Sequence, residues 1–177
     1  MNSNMILNRL FTQYNFDDLI HGQKNDVYMS VIKRFVQDPF LKNNAKIISE
    51  IYSYMSKNYR NEYFYQNTLL NKLLLGRHSI NTTTALTQIP INKSKADFIL
   101  INGKAVVYEI KTALDNFDRL DGQIEDYYKA FSRVVVVTPE ENYDDVQQKL
   151  KDSPVGICLL TKKGTLSIRK EPVEYRS

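Results

Sequence analysis

The sequence predicts an α/β sandwich built around a mixed sheet, and three observations carry that prediction. Up to about residue 75, apolar side chains recur at helical spacing. From Thr82 onward the texture changes to short β-branched and apolar runs separated by Asn102-Gly103 and Lys163-Gly164. Between those runs lie two segments that return to helical spacing, which is the alternation of an α/β layer structure.

Taken in order, Met5 to Tyr14 places Ile6, Leu7, Leu10 and Phe11 on one helical face. Asp26 to Gln37 repeats the pattern with Val27, Val31, Phe35 and Val36, and Asp38-Pro39 stops it. Asn44 to Tyr59 carries Ile47, Ile48, Ile51, Tyr52 and Met55. Asn61 to Leu75 carries Phe64, Leu69, Leu70, Leu73 and Leu74, with Gly76 expected as a left-handed terminator. Thr82 to Ile89 suits a first strand. Lys95 to Ile101 and Lys104 to Lys111 flank Asn102-Gly103 and read as a hairpin. Phe117 to Phe131 is helical, with Leu120, Ile124, Tyr127 and Tyr128 on its apolar face. Arg133 to Thr138 is a continuously apolar strand, as expected for burial on both faces. A helix over Tyr143 to Lys151 and a hairpin of Val155–Thr161 with Thr165–Lys170 complete the chain. Residues 1–43 read as an N-terminal helical appendage packed on the core, and residues 44–177 as the main domain.

The totals narrow the function. The 177 residues are 42% hydrophobic, enough for a sizeable core. No run of about 18 apolar residues is present, so no membrane helix is expected. The N-terminus lacks the apolar stretch and cleavage site of a secretory signal, and the one cysteine, Cys158, cannot form an internal disulfide, so a cytoplasmic protein is expected. A formal charge of +4 favours a polyanionic partner. No glycine-rich phosphate loop, Cys/His zinc pattern or nucleophilic serine setting occurs. His21 and His78 lack partners at metal-ligand spacing. Arg77-His78-Ser79 could face a cleft, and Lys162-Lys163 could touch phosphate, although turn solubilisation is the simpler reading.

The hairpin holds the most informative residues, because Asp97, Glu109 and Lys111 interrupt apolar strands where an uncompensated charge is costly. Glu109 and Lys111 leave the same face of one strand. A strict two-residue turn would pair Ile101 with Lys104 and point Asp97 away from Glu109. A three-residue loop with Gly103 as a bulge pairs Ile101 with Ala105 and sets Asp97 opposite Glu109. The bulged register is therefore expected. Converging, the two carboxylates would suit Mg²⁺, with Mn²⁺ able to substitute, and the Ile110 carbonyl could be a further ligand. Lys111 would orient a bound water, help deprotonate it, or stabilise charge on a phosphate.

Asp97, eleven residues, then Glu109-Ile110-Lys111 on a strand resembles the PD-(D/E)xK nuclease superfamily, with Ala96 where that family often has proline. Gln123-Ile124-Glu125-Asp126-Tyr127 resembles the Gln-x-x-x-Tyr helix motif of its RecB-like branch. Glu62 resembles the extra acidic residue that many members add to the metal site. The resemblance spans Asn61 to Thr138, and the whole chain looks most like the small stand-alone phage and bacterial members. It implies a restriction-endonuclease-like core in the order α-β-β-β-α-β. It also implies a Mg²⁺-dependent nuclease, acting on DNA rather than RNA, with Asp97, Glu109, Lys111, Gln123 and Tyr127 in the active site. Lys93 and Lys95 could contact substrate phosphate, and a homodimer or protein partner could be needed.

Plainer readings stand beside these. Glu109 and Lys111 could lie on a solvated face with Asp97 as a strand cap, and Glu62 could serve only the helix dipole. The same fold could be a catalytically silent nucleic-acid-binding or protein-interaction module of phage or defence origin. An adaptor using the tyrosine-rich helices of residues 44–75 is a third reading.

Overall fold

The computed structural model describes residues 3–76 and 79–175. Arg77 and His78 lie outside the described residues. The chain divides into two compact units, Met1–Phe64 and Tyr65–Ser177.

In the first unit, the helix expected over Met5–Tyr14 is two helices, α1 (Ile6–Leu10) and α2 (Gln13–Ile20). Thr12 causes the break. Its backbone is extended and its hydroxyl caps α2 by accepting from the Asn15 N–H. Asn25 caps α3 (Asp26–Phe35) and Asn43 caps α4 (Asn44–Asn58) in the same way. Leu7, Leu10, Val31, Ile51 and Met55 are the buried seam of this unit. The aromatic residues join it: Phe11 stacks on Tyr63 at 4.6 Å, and Tyr52 packs on Phe64 at 5.7 Å. Tyr59 is buried as well, and so is Tyr65, the first residue of the second unit. The tyrosines of residues 44–75 therefore serve packing, and the exposed face that the adaptor reading needs is not formed by them.

α5 (Glu62–Leu69) crosses the division and is capped by Asn61, whose side chain accepts the Phe64 N–H at 3.1 Å. The chain then runs on as a π-helical segment, Leu70–Leu75. Gly76 is not left-handed as expected. Its φ is −96°, and an added Cβ would come within 2.9 Å of the Lys72 carbonyl, so glycine is required by close approach.

The second unit is a mixed α/β structure with a six-stranded sheet. Its strands are β1 (Thr84–Ile91), β2 (Ser94–Asn102), β3 (Lys104–Ile110), β4 (Val134–Pro139), β5 (Gly156–Leu160) and β6 (Leu166–Lys170). They lie side by side in chain order. β3–β4 and β4–β5 are parallel and the other pairs antiparallel. The two parallel steps are made by α6 (Leu120–Tyr128) and α7 (Tyr143–Leu150). β4 and β5 are buried along their whole lengths, as the unbroken apolar run of β4 implies. Ile99, Val107, Val134, Val136 and Ile157 pack with Leu120, Ile124, Val146 and Leu150 between the sheet and these helices.

A second carboxylate ties α6 to the sheet. Asp126 accepts from Lys129 Nζ at 2.8 Å, Asn92 Nδ2 at 2.5 Å and Ser94 Oγ at 2.7 Å. Asn92, at φ 52°, lies in the β1–β2 turn, and Ser94 is the first residue of β2. These donors, Lys129 first, hold the Asp126 carboxyl well below the usual carboxylate range. Among the described residues no helix is long and apolar enough to cross a membrane.

Candidate functional site

The β2–β3 hairpin has the bulged register. Ile101 pairs with Ala105 and Phe98 with Tyr108, with Gly103 at φ 65° in the turn. Continued, that register sets Asp97 level with Glu109. At that level the ladder is replaced by a side chain: Asp97 Oδ2 accepts the Ile110 N–H at 2.8 Å. On the other flank Gln88 stands between the pairs Thr87–Phe98 and Ile89–Ala96 with φ 57°. Its Nε2 lies 3.5 Å from Asp97 Oδ1, and Gln66 Nε2 donates to the Asp97 carbonyl at 3.3 Å. Gln66 and Gln88 carried no signal in the sequence, since neither belongs to a motif and the backbone of Gln88 is set by the sheet.

Glu109 is 1% exposed and is held by three donors. Lys111 Nζ lies 2.9 Å from Oε1, Gln123 Nε2 donates to the same oxygen at 2.6 Å, and the Tyr127 hydroxyl meets Oε2 at 2.6 Å. Lys111, 7% exposed, also donates to Gln123 Oε1 at 2.8 Å. The Tyr127 hydroxyl lies 2.9 Å from the Lys95 carbonyl. Burial, then the neighbouring Glu109 carboxylate, pushes the Tyr127 phenol above its ordinary value, so it stays protonated and donates.

The structure thus brings Asp97, Glu109, Ile110, Lys111, Gln123 and Tyr127 together. Ile110 takes part through its N–H. Glu62 is exposed in the first turn of α5 and belongs to the other unit. Lys93, in the β1–β2 turn, and Lys95, on β2, are exposed, and Lys95 enters the cluster through its carbonyl. As arranged, the carboxylates are occupied by protein donors: Lys111 supplies the positive charge at Glu109, and the Ile110 N–H takes Asp97 Oδ2. Among the described residues no three His, Cys, Asp or Glu side chains gather at one point.

Fold and site together define a mixed α/β protein in which a neutralised Glu–Lys pair joins a strand to the helix that covers it. The family model described as bacteriophage P4 protein cII matches residues 55–176, most of the chain. The chain belongs to this family. Protein cII of Enterobacteria phage P4 is 32% identical to it over 63 residues, which cover 36% of this chain and 24% of that protein. The match therefore spans about a quarter of the curated relative's length. No solved structure matches the chain.

This membership overturns the nuclease assignment. The chain is not placed in the PD-(D/E)xK superfamily, and the hydrolase and deoxyribonuclease readings fall with that resemblance. The phage association survives. The physical reason for the misreading is that Asp, Glu-x-Lys and Gln-x-x-x-Tyr at these spacings also build a self-satisfied network. A short motif of common polar residues does not distinguish the two uses.

Proposed function

We propose that the chain is a catalytically silent phage module that acts by binding nucleic acid. The observation that carries this reading is the state of Glu109. Its carboxylate is committed to Lys111, Gln123 and Tyr127, so the residues suited to hydrolysis act as a clamp between β3 and α6. Membership of the phage family supports it. The contact surface in this reading is the β1–β2 turn and the first residues of β2, where Lys93 and Lys95 face solvent, on a chain of net charge +4. DNA rather than RNA, a homodimeric state and a cytoplasmic location belong to the same proposal. So does the view of the α-β-β-β-α-β order as a restriction-endonuclease-like scaffold put to non-catalytic use.

Fluorescence anisotropy with matched DNA and RNA oligomers in EDTA tests it. Binding should occur without divalent metal and weaken as salt rises. Lys93→Gln with Lys95→Gln should weaken binding to all sequences alike and reduce the salt slope by up to about two charges. Absence of binding to any oligomer at low salt would end the proposal.

Mg²⁺ or Mn²⁺ at Asp97 and Glu109 is a separate proposal, in which Lys111 is the competing cation. Mn²⁺ should then raise the unfolding temperature of Lys111→Met more than that of the unaltered chain. Equal shifts would remove the ion from this account.

A further inference from the structure

We propose that the sheet face opposite α6 and α7 binds an amphipathic organic anion, a carboxylate with an apolar body. This site is independent of the nucleic-acid surface proposed above.

The alternation of the strands creates the floor. Val134, Val136 and Ile157 point into the core beneath α6 and α7. The intervening residues turn the other way, and there Tyr108 pairs with Val135 and Cys158 with Ile168. These four line a cavity of about 440 Å³, closed on one side by Lys72 and Leu73 and on another by Pro172. That volume is in the range of small-ligand pockets. Ile168 is 44% exposed above this floor.

Charge selects the ligand class. Arg133 lines the cavity, and its Nε is buried without a hydrogen-bond partner. Its Nη2 reaches Glu174 only at 3.4 Å. A buried guanidinium N–H left unmet is unusual and calls for an acceptor. Lys72 is exposed and forms no ion pair among the described residues. Lys170 also lines the cavity, but its ammonium is spent on the carbonyls of Leu150 and Ser153 at 2.5 and 2.6 Å. Arg133, with an unmet Nε–H beside its contact to Glu174, and Lys72 therefore stand at the edge of an apolar floor, and Glu171 also lines the cavity.

The rim supplies an independent sign. Lys72 and Leu73 lie on the π-helical segment Leu70–Leu75. π turns are rare, and they recur where a binding site needs a side chain moved off α-helical register. A ligand without an acceptor would leave the Arg133 donor unmet, and a neutral acceptor would leave the Lys72 ammonium without a counter-charge. A polyanion would set several charges over the apolar floor and beside Glu171. One anionic group on an apolar body satisfies both surfaces.

The test uses 8-anilinonaphthalene-1-sulfonate as probe, followed by fluorescence on the whole chain, with decanoate as competitor. Saturation at one site and displacement by decanoate are expected. Arg133→Gln and Ile168→Asp should each weaken probe binding at least tenfold, and Lys95→Gln should leave it unchanged. Near-UV circular dichroism of each variant ensures that a folded protein is compared. The proposal is overturned by non-saturable fluorescence, by failure of decanoate to compete, or by an affinity unchanged from the unaltered chain in the Arg133 or the Ile168 variant. Loss of nucleic-acid binding in the Lys93/Lys95 variant leaves it standing, so the two proposals fail separately.

Discussion

Lys111 Nζ and Glu109 Oε1 lie 2.9 Å apart with both side chains buried, two residues apart at the end of β3. The pair is a closed unit: each charge is the other's counter-ion, and Gln123 bonds to both.

Removing one member strands the other. Lys111→Met should destabilise the chain by about 3–5 kcal/mol, because Glu109 would keep a buried charge without a cation. Adding Glu109→Gln should restore part of that loss. Urea denaturation of the two single variants and the double gives the coupling, and a loss below about 1 kcal/mol for Lys111→Met would show that the pair is not held this way.

The Tyr127 hydroxyl is the remaining donor to Glu109. Tyr127→Phe keeps the ring in the core and deletes only that hydroxyl, so Glu109 Oε2 loses a bond inside the protein. A cost of about 1–3 kcal/mol is expected, and an unchanged urea midpoint would contradict it.

Asp126 sets an acid limit. Its folded carboxyl is held down by Lys129, Asn92 and Ser94, so the unfolded chain takes up a proton first as pH falls. Its contribution is full above the ordinary carboxylate value of about 3.9 and declines as pH drops below it. Thermal unfolding between about pH 5 and 2 should therefore fall less steeply for Asp126→Asn than for the unaltered chain. Parallel curves would rule the clamp out.

Two glycines should respond in opposite ways. A Cβ at Gly156 would sit 2.9 Å from Pro172 Cδ and 3.0 Å from the Lys170 carbonyl, so Gly156→Ala should cost about 1–3 kcal/mol. Gly122, within α6, has nothing within 4 Å of the same position. Gly122→Ala should stabilise by about 0.5–1 kcal/mol through helix propensity. Urea midpoints that move in the same direction would refute the packing at Gly156.

Much of the fold was legible because periodicity reports burial. The six strands, α6 and α7 fall where alternation and helical spacing put them, with ends shifted by a few residues. Breaks governed by a single side chain or by tertiary contact were not legible. Thr12 splits a continuous apolar face because its hydroxyl caps better than it propagates. The π segment after Leu69 leaves no mark on an apolar run. In the candidate site, Asn102-Gly103 marked the hairpin but allowed two registers, and the bulged one, which pairs Ile101 with Ala105, was expected because it sets Asp97 opposite Glu109. Gln123 and Tyr127 were singled out by a motif resemblance, since their spacing alone suits a surface amide beside a core ring. What those residues do did not follow. A carboxylate, an ammonium and an amide have the same spacing whether they hold a reactant or one another, and the assignment to hydrolysis rested on that shared spacing.

The sheet order has a consequence for biosynthesis. Each strand from β2 onward docks on one made just before it, and none is wedged between two already in place. As this unit leaves the ribosome, the sheet can grow by accretion from one edge, with every addition templated by chain already emerged. The unfinished edge exposed at any moment is a single strand, which limits the time available for pairing with a neighbouring nascent chain.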